Sequence, residues 1–513
     1  MKIDYKKDGS GGTIRWGAED WLAGLSRVRS SSASVGVPAF LGKGLRTCSR
    51  INPFYRPGSL ASGPVGSNLT NASAVTGALL GMTNNSTTAY AVGGDLLHEI
   101  NISTNTITNS GSFPHQVSGA TMYDVALYSI GTTQYLFYSY GTASNGNVGR
   151  FDLSSTFSDT WLSAGSHTGA ATLDTTSPHY MVRSKKRNVL YIFDGRAVHQ
   201  FDGQAGANGT LTKNYFRVPT GYVITSCSLT ENYMVIYAYR SSTGGSFNAG
   251  SAIAVYWDEV SENPTYVREL DGVYADGGFT LNGGAGCFLR NIDPFNNYTS
   301  SKNSIVLDNG STFESVFFFD TNLTLPSKNG VQVVDNNILF NASGTIFQWG
   351  KGEVGGDKAG FIYTLGGGTT SGICRNMALS SLYASSGTST SGGLQNFVTS
   401  SLGAGSFSTM VVELPLGIGK IARVNKVALN WANYLTSGTS ATVAINTIVN
   451  QTATSTTVKP NTTLPRKSHD VYMAGRTSWV PPQFEAIGVT VTYNDGAEVL
   501  REIIIDFTFV DYT

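Results

Sequence analysis

Six histidines are the side chains most ready for acid–base or metal chemistry here: His98, His115, His167, His179, His199 and His469. A metal site or a catalytic imidazole needs partners at fixed spacing, as when His-Glu-x-x-His puts two ligands on one helical face. The sequence holds no such spacing and no EF-hand loop. No serine lies in a Gly-x-Ser-x-Gly elbow. The nearest approach to a dinucleotide-binding glycine motif is GGGTTSG at 366–372, which lacks its last glycine at the required offset. Gly419-Lys420 is followed by Ile421, so no phosphate-cradling loop is completed there. His98 and His199 occupy matching places in two similar segments, which favours packing over metal binding. The sequence assigns no catalytic residue, no metal ligand and no cofactor, and leaves ligand-binding residues unassigned.

Three further groups were weighed for chemistry. Trp431, Tyr434, Tyr472 and Trp479 could stack on sugar rings, but aromatic residues more often fill cores or interfaces. Lys185, Lys186 and Arg187 form a short basic run before a strand, expected as a solvated hairpin tip. Cys48, Cys227, Cys287 and Cys374 are widely spaced and form no Cys-x-x-Cys pair, which points to free thiols in a reducing compartment.

Composition narrows the function classes. Charged residues are 13% of the 513, with 34 basic against 34 acidic, so there is no basic face for nucleic acid. The polar surface must then be built from Ser, Thr, Asn and Gly. The start MKIDYKKDGSGG has no apolar run typical of a signal peptide, and no stretch approaches the length of a membrane span. A virion protein, made in the host cytoplasm and released by lysis, reconciles an extracellular-looking surface with the lack of an export signal.

The elements that would position any site are short strands with Gly, Asn, Asp and Ser turns. One hairpin recurs: AYAVGGDLLHEIN at 89–101, LYIFDGRAVHQFD at 190–202 and ILFNASGTIFQWG at 338–350. Anchoring weaker copies on one large residue gives Ile100, Phe151, Phe201, Trp257, Leu307, Trp349 and Phe397, with successive spacings of 51, 50, 56, 50, 42 and 48. Several strands per repeat of about 40–50 residues is the pattern of propeller blades. The Asp that often follows the anchor is expected to form a turn, not to act as an acid. The repeated Ser-x-Asp-x-Gly-x-x-Trp boxes of propeller sialidases are absent.

From residue 405 onward the pattern changes to longer alternating strands: STMVVELPLG at 408–417, RVNKVALNW at 423–431, ATVAINTIV at 441–449, GVTVTYNDG at 488–496 and EIIIDFTFV at 502–510. One polar and one apolar face per strand means sheets packed face to face. The expected fold is therefore all-β: an extended N-terminal arm (1–70), a β-propeller of about seven blades (71–404) and a C-terminal β-sandwich (405–513). Trp16, Trp21 and Leu22 are expected near a short helical turn at Glu19–Leu25. With Phe40, Leu41, Phe54 and Tyr55, they would give the arm a surface for neighbouring chains.

Three stretches resemble β-propeller virion proteins of tailed bacteriophages. They are the lead-in INPFYRPGSLASG (51–63), hairpins of the NVLYIFDGRAVHQFDG type (188–203), and the closing VELPLG, RVNKVALNWANYLTSGTSATVAI and EIIIDFTFV. The resemblance is one of style and carries over no functional residue. It implies a non-enzymatic structural component of the virion, multimeric, in the tail or nozzle. Its partners would be copies of itself and neighbouring virion proteins, with a host surface glycan as a further partner if the chain is an adhesin. No specific nucleic-acid binding and no membrane span are expected. A carbohydrate- or receptor-binding adhesin and a propeller glycosidase are the alternative readings.

Overall fold

A strand leaves one edge of backbone N–H and C=O groups unpaired unless another strand covers it. The computed structural model shows how this chain covers them. It describes residues 2–17 and most of 45–511; the longer stretches outside it are 18–44, 53–59, 241–250, 293–300, 319–324, 352–356, 365–372, 386–393, 436–441, 459–465, 473–480 and 494–498. The chain divides into two compact units. One is Gly66–Ile346 with Leu365–Val398; the other is Met1–Val65 with Phe347–Thr364 and Thr399–Thr513.

The repeats run through the first unit and through Phe347–Thr364, a stretch counted with the other unit. Seven successive antiparallel sheets follow one another along the chain, each with four strands in series, and each is here called a blade. Blade 1 holds Leu79–Asn84, Thr88–Gly93, Leu96–Asn101 and Thr106–Thr108, with the short His115–Gln116 added. Blade 2 holds Thr121–Ile130, Thr133–Gly141, Gly146–Phe151 and Phe157–Ser158. Blade 3 holds Met181–Arg183, Leu190–Asp194, Ala197–Asp202 and Thr210–Arg217. Blade 4 holds Tyr222–Leu229, Met234–Arg240, Ala252–Trp257 and Tyr266–Leu270. Blade 5 holds Tyr274–Leu281, Gly284–Ile292, Ser301–Asp308 and Phe313–Phe318. Blade 6 holds Val331–Val334, Asn337–Ala342, Thr345–Lys351 and Asp357–Thr364.

Blade 7 takes three strands from the end of the repeats, Ile373–Asn376, Ser381–Ser385 and Leu394–Leu402. Its fourth, Pro64–Asn68, comes from before blade 1. The first strand of blade 7 lies against the first strand of blade 1, so the ring closes. The fold is a seven-bladed β-propeller. Ring closure leaves only short outer edges, which is how such repeats avoid open sheets.

All seven anchors fall on the third strand of successive blades. The three similar hairpins are the second and third strands of blades 1, 3 and 6. Register agrees too: His98 faces Ala91 and His199 faces Ile192, at the same step of their hairpins. Apolar side chains pack between neighbouring blades, as Tyr191, Val198 and Phe216 do against Met234, Ile236 and Trp257. Each such side chain contributes about 1.5–3 kcal/mol when fully buried. The turn role of the residue after the anchor also holds. Asn101, Asp152, Asp202, Asp258 and Asp308 each accept backbone N–H groups two to four residues on.

The second unit is a sandwich of two sheets. One runs in the order Lys2–Tyr5, Gly11–Trp16, Val499–Asp511, Lys420–Leu435, Arg466–Tyr472. The other runs Leu45–Ser49, Gly405–Thr409, Ala486–Tyr493, Thr442–Val449, Thr452–Val458. Val489, Val491 and Tyr493 are fully buried while Thr490 and Thr492 are not, as alternation requires. The stretch 408–417 is not one strand: Ser408 and Thr409 end Gly405–Thr409, Val412–Glu413 is a separate short strand, and 411, 414 and 415 are in neither.

The amino-terminal segment is extended, but it is no free arm. Gly11–Trp16 pairs residue for residue with Ile503–Thr508, and Ile14, Trp16, Ile51 and Leu60 sit in the sandwich core. Trp16 is on a strand, and its own domain buries it completely. That corrects the expectation that this residue serves a neighbouring chain: two-sided pairing by a central strand gained more than an exposed apolar stripe would. Trp21, Leu22, Phe40, Leu41, Phe54, Tyr55 and the expected turn at Glu19–Leu25 lie outside the described residues.

Candidate functional site

Four of the propeller's seven first strands, those of blades 1, 2, 4 and 5, share one irregularity. Bulges interrupt them between Leu79 and Gly81, Met122 and Asp124, Ile224 and Ser226, and Asp276 and Phe279. A bulge turns a side chain away from the regular alternation. In blades 2 and 5 the residue placed there is an aspartate, and both are buried. Each accepts the next backbone N–H on its own oxygen, Val125 at 2.9 Å for Asp124 and Gly277 at 2.7 Å for Asp276.

Between blades 5 and 6 the chain makes a single 3-10 turn, Lys328–Gly330. That turn lies against the first strands of blades 1, 4, 5 and 7. Its side chains also bond to the first strands of blades 2 and 3. Only the ring axis is within reach of all of these, so the turn sits on the axis. Lys328 Nζ donates to Asp124 Oδ2 at 2.7 Å and to the Met181 carbonyl at 2.7 Å. Asn329 Nδ2 donates to Asp124 Oδ1 at 2.8 Å, and the Met181 N–H donates to Asp124 Oδ2 at 2.7 Å. The Lys328 ammonium also lies 5.6 Å from the Tyr180 ring centre. Asp124 thus has an ammonium and three N–H donors, enough to offset burial of its charge.

Asp276 has only neutral partners. The Tyr274 hydroxyl donates to Oδ2 at 2.9 Å, and the Ser226 hydroxyl and the Lys328 backbone N–H add to it. Burial pushes its carboxyl up to about 7, against the pull of those hydrogen bonds. Gly277 makes room for the turn. It has φ +59°, and a Cβ there would meet the Pro326 carbonyl at 2.7 Å.

The sequence reading did not single out Asp124, Asp276, Ser226 or Lys328. Their signal was available in part: MYDVAL and YADGGF each put an acid in the middle of an apolar strand, three repeats apart. The arrangement binds the chain to itself. It offers one carboxyl able to exchange a proton near neutrality and one lysine already committed to a carboxylate.

Apart from His179 and His199, the described histidines do not converge. His98 is buried, and burial holds its imidazole down at about 4. His199 and His179 flank Asp194, at 3.3 Å and 3.7 Å. His115 stacks on Phe157 and meets Asp159 at 2.7 Å; the Tyr138 hydroxyl donates to the same carboxylate oxygen. The side chain of His469 is outside the described residues. Among the described residues no cluster has the form of a metal site. Cys227 and Cys287 are free and buried, and burial raises both thiols, Cys227 to about 12.

Of the groups with a reading for or against chemistry, Trp431 keeps the favoured core reading and the basic run is corrected in part. Trp431 is core, packed near Tyr493 and 2% exposed; Tyr434, Tyr472 and Trp479 have side chains outside the described residues. The basic run is a hairpin tip, but its cations are used. Lys185 and Lys186 donate to the Leu229 and Asn232 carbonyls of blade 4. Arg187 donates to the Glu259 carbonyl and the Tyr215 hydroxyl. A carbonyl oxygen has two lone pairs, so the Leu229 carbonyl takes Lys185 as well as the Thr280 hydroxyl.

No family model matches the chain, and no curated protein matches it in sequence. Among solved structures it is similar to the Dos1 propeller, at 9% identity and TM-score 0.41, over 65% of this chain and 95% of that one. It is similar to Raptor of Chaetomium thermophilum, at 10% identity and TM-score 0.42, over 66% of this chain and 29% of that one. It is similar to U3-55K, at 9% identity and TM-score 0.41, over 66% of this chain and 100% of that one. The assignment of the fold rests on the sheet order and the closed ring of first strands.

Proposed function

We propose that this protein is a non-enzymatic structural component of a bacteriophage virion, working as a multimer in the tail or nozzle. The observation that carries the structural half of this reading is the filled axis. A propeller's central channel is where a ligand or substrate can meet several blades at once. Here Lys328 and Asn329 occupy that place and bond across it to Asp124 and Met181. Such cross-bracing serves rigidity. The virion half is supported by the resemblance of the lead-in, the hairpins and the closing strands, and by a surface poor in charge.

The test is composition of particles. Virions purified on a density gradient and washed in high salt should contain the chain at a fixed copy number, by quantitative mass spectrometry. The same protein should give no turnover on polysaccharides or sialosides. Recovery only in the soluble lysate would overturn the virion assignment. Hydrolysis abolished by changing one carboxylate would overturn the non-enzymatic one.

A further inference from the structure

Asp124 and Asp276 face the same burial problem from opposite parts of the ring and solve it differently. Asp124 is neutralised by Lys328. Asp276 is met by the Gly277 N–H, the Tyr274 and Ser226 hydroxyls and the Lys328 N–H, none of them charged. The ionisable groups around it are Tyr274 on its own strand, Tyr180 ahead of blade 3 and Cys287 on the second strand of blade 5. Arg290, also on that second strand, places its guanidinium 5.6 Å from the Tyr274 ring centre. On the turn itself Lys328 directs its ammonium to Asp124.

We infer that the Lys328–Gly330 turn is a proton-gated latch, held on the axis while Asp276 is neutral and loosened when Asp276 ionises. Once ionised, Asp276 is a buried charge whose donors offset only part of its desolvation, and water or the Lys328 ammonium would offset the rest. Capture takes the ammonium from Asp124 and the Met181 carbonyl; hydration takes the Lys328 N–H from Asp276. Either event unseats the turn from several blades together, because one residue links them.

The direction with pH follows from the closed and open states. Closed, the carboxyl titrates at about 7; released into water, it returns towards 3.8. Opening therefore releases a proton between those values. The latch is tightest below pH 3.8, weakens as pH rises to about 7, and is constant above that.

Hydrogen-exchange mass spectrometry on the full chain reads this through peptides covering Met181 and Gly330, whose amides donate to Asp124 Oδ2 and the Ser327 carbonyl. After correction for intrinsic exchange, opening should rise by roughly tenfold per pH unit from about pH 5 to 7 and level off above. Asp276→Asn should remove that slope. Equal slopes in both proteins, or no slope in the wild type, would overturn the latch. Infrared spectroscopy of the wild type provides a check independent of the variant's folding. A carboxylic-acid C=O stretch should be present at pH 6 and fade by pH 8, and its absence at pH 6 would also overturn the proposal.

Discussion

The propeller and the sandwich bury different things. The sandwich core is one continuous apolar cluster, and strands from the two ends of the sequence meet in it: Gly11–Trp16 lies beside Val499–Asp511. The propeller divides its apolar residues into separate seams between blades and places a buried ion pair and a second buried carboxyl at its axis. The two therefore differ in what makes them unique. Shape and volume specify the sandwich. The ring could close on apolar seams alone, so a buried ion pair and a set of directed hydrogen bonds fix what lies at its centre.

That contrast can be broken at either end. Trp16→Ala should cost the sandwich about 3–5 kcal/mol, because a large core side chain is lost and a cavity is left. The transition that reports sandwich unfolding in denaturant would show it, with little dependence on salt. A loss below about 1 kcal/mol would mean that the amino-terminal strand is dispensable to that core. Lys328→Ala should cost the propeller a similar or slightly smaller amount, about 3–5 kcal/mol, by leaving Asp124 buried without its cation. Here the double variant Asp124→Leu with Lys328→Met is the sharper probe. It should recover most of the loss, since removing both charges removes the uncompensated one. No recovery would show that the axis depends on shape as the sandwich does. The smallest effect belongs to the repeated turns. Asp258→Ala should cost about 1 kcal/mol, for two backbone N–H groups returned to water at an exposed corner.

The sequence carried the ring better than its centre, for physical reasons. Blade hairpins are local. The GG and DG turns, the apolar strands and the residue after each anchor all lie within a few positions of one another, so Ile100 and Trp349 could be aligned by inspection. The axis is not local: Lys328 meets Asp124 across 204 residues, and no pattern near either one marks the other. The amino-terminal strand failed for the same reason. GGTIRW contains two glycines and one arginine and resembles a loop until its partner, near 490 residues away, is in place. His98 and His199 were matched correctly by position. Their surroundings diverge, one imidazole packed in an apolar seam and the other paired with Asp194.

The proposed role requires a propeller braced across its own axis and repeated within a particle. The most direct measurement is an electron cryo-microscopy reconstruction of the purified virion at side-chain detail. Several symmetry-related copies of the chain are expected in the tail or nozzle, each with Lys328 density on the ring axis joined to Asp124. A particle without the chain, or a ring whose axis is open around a bound ligand, would contradict it.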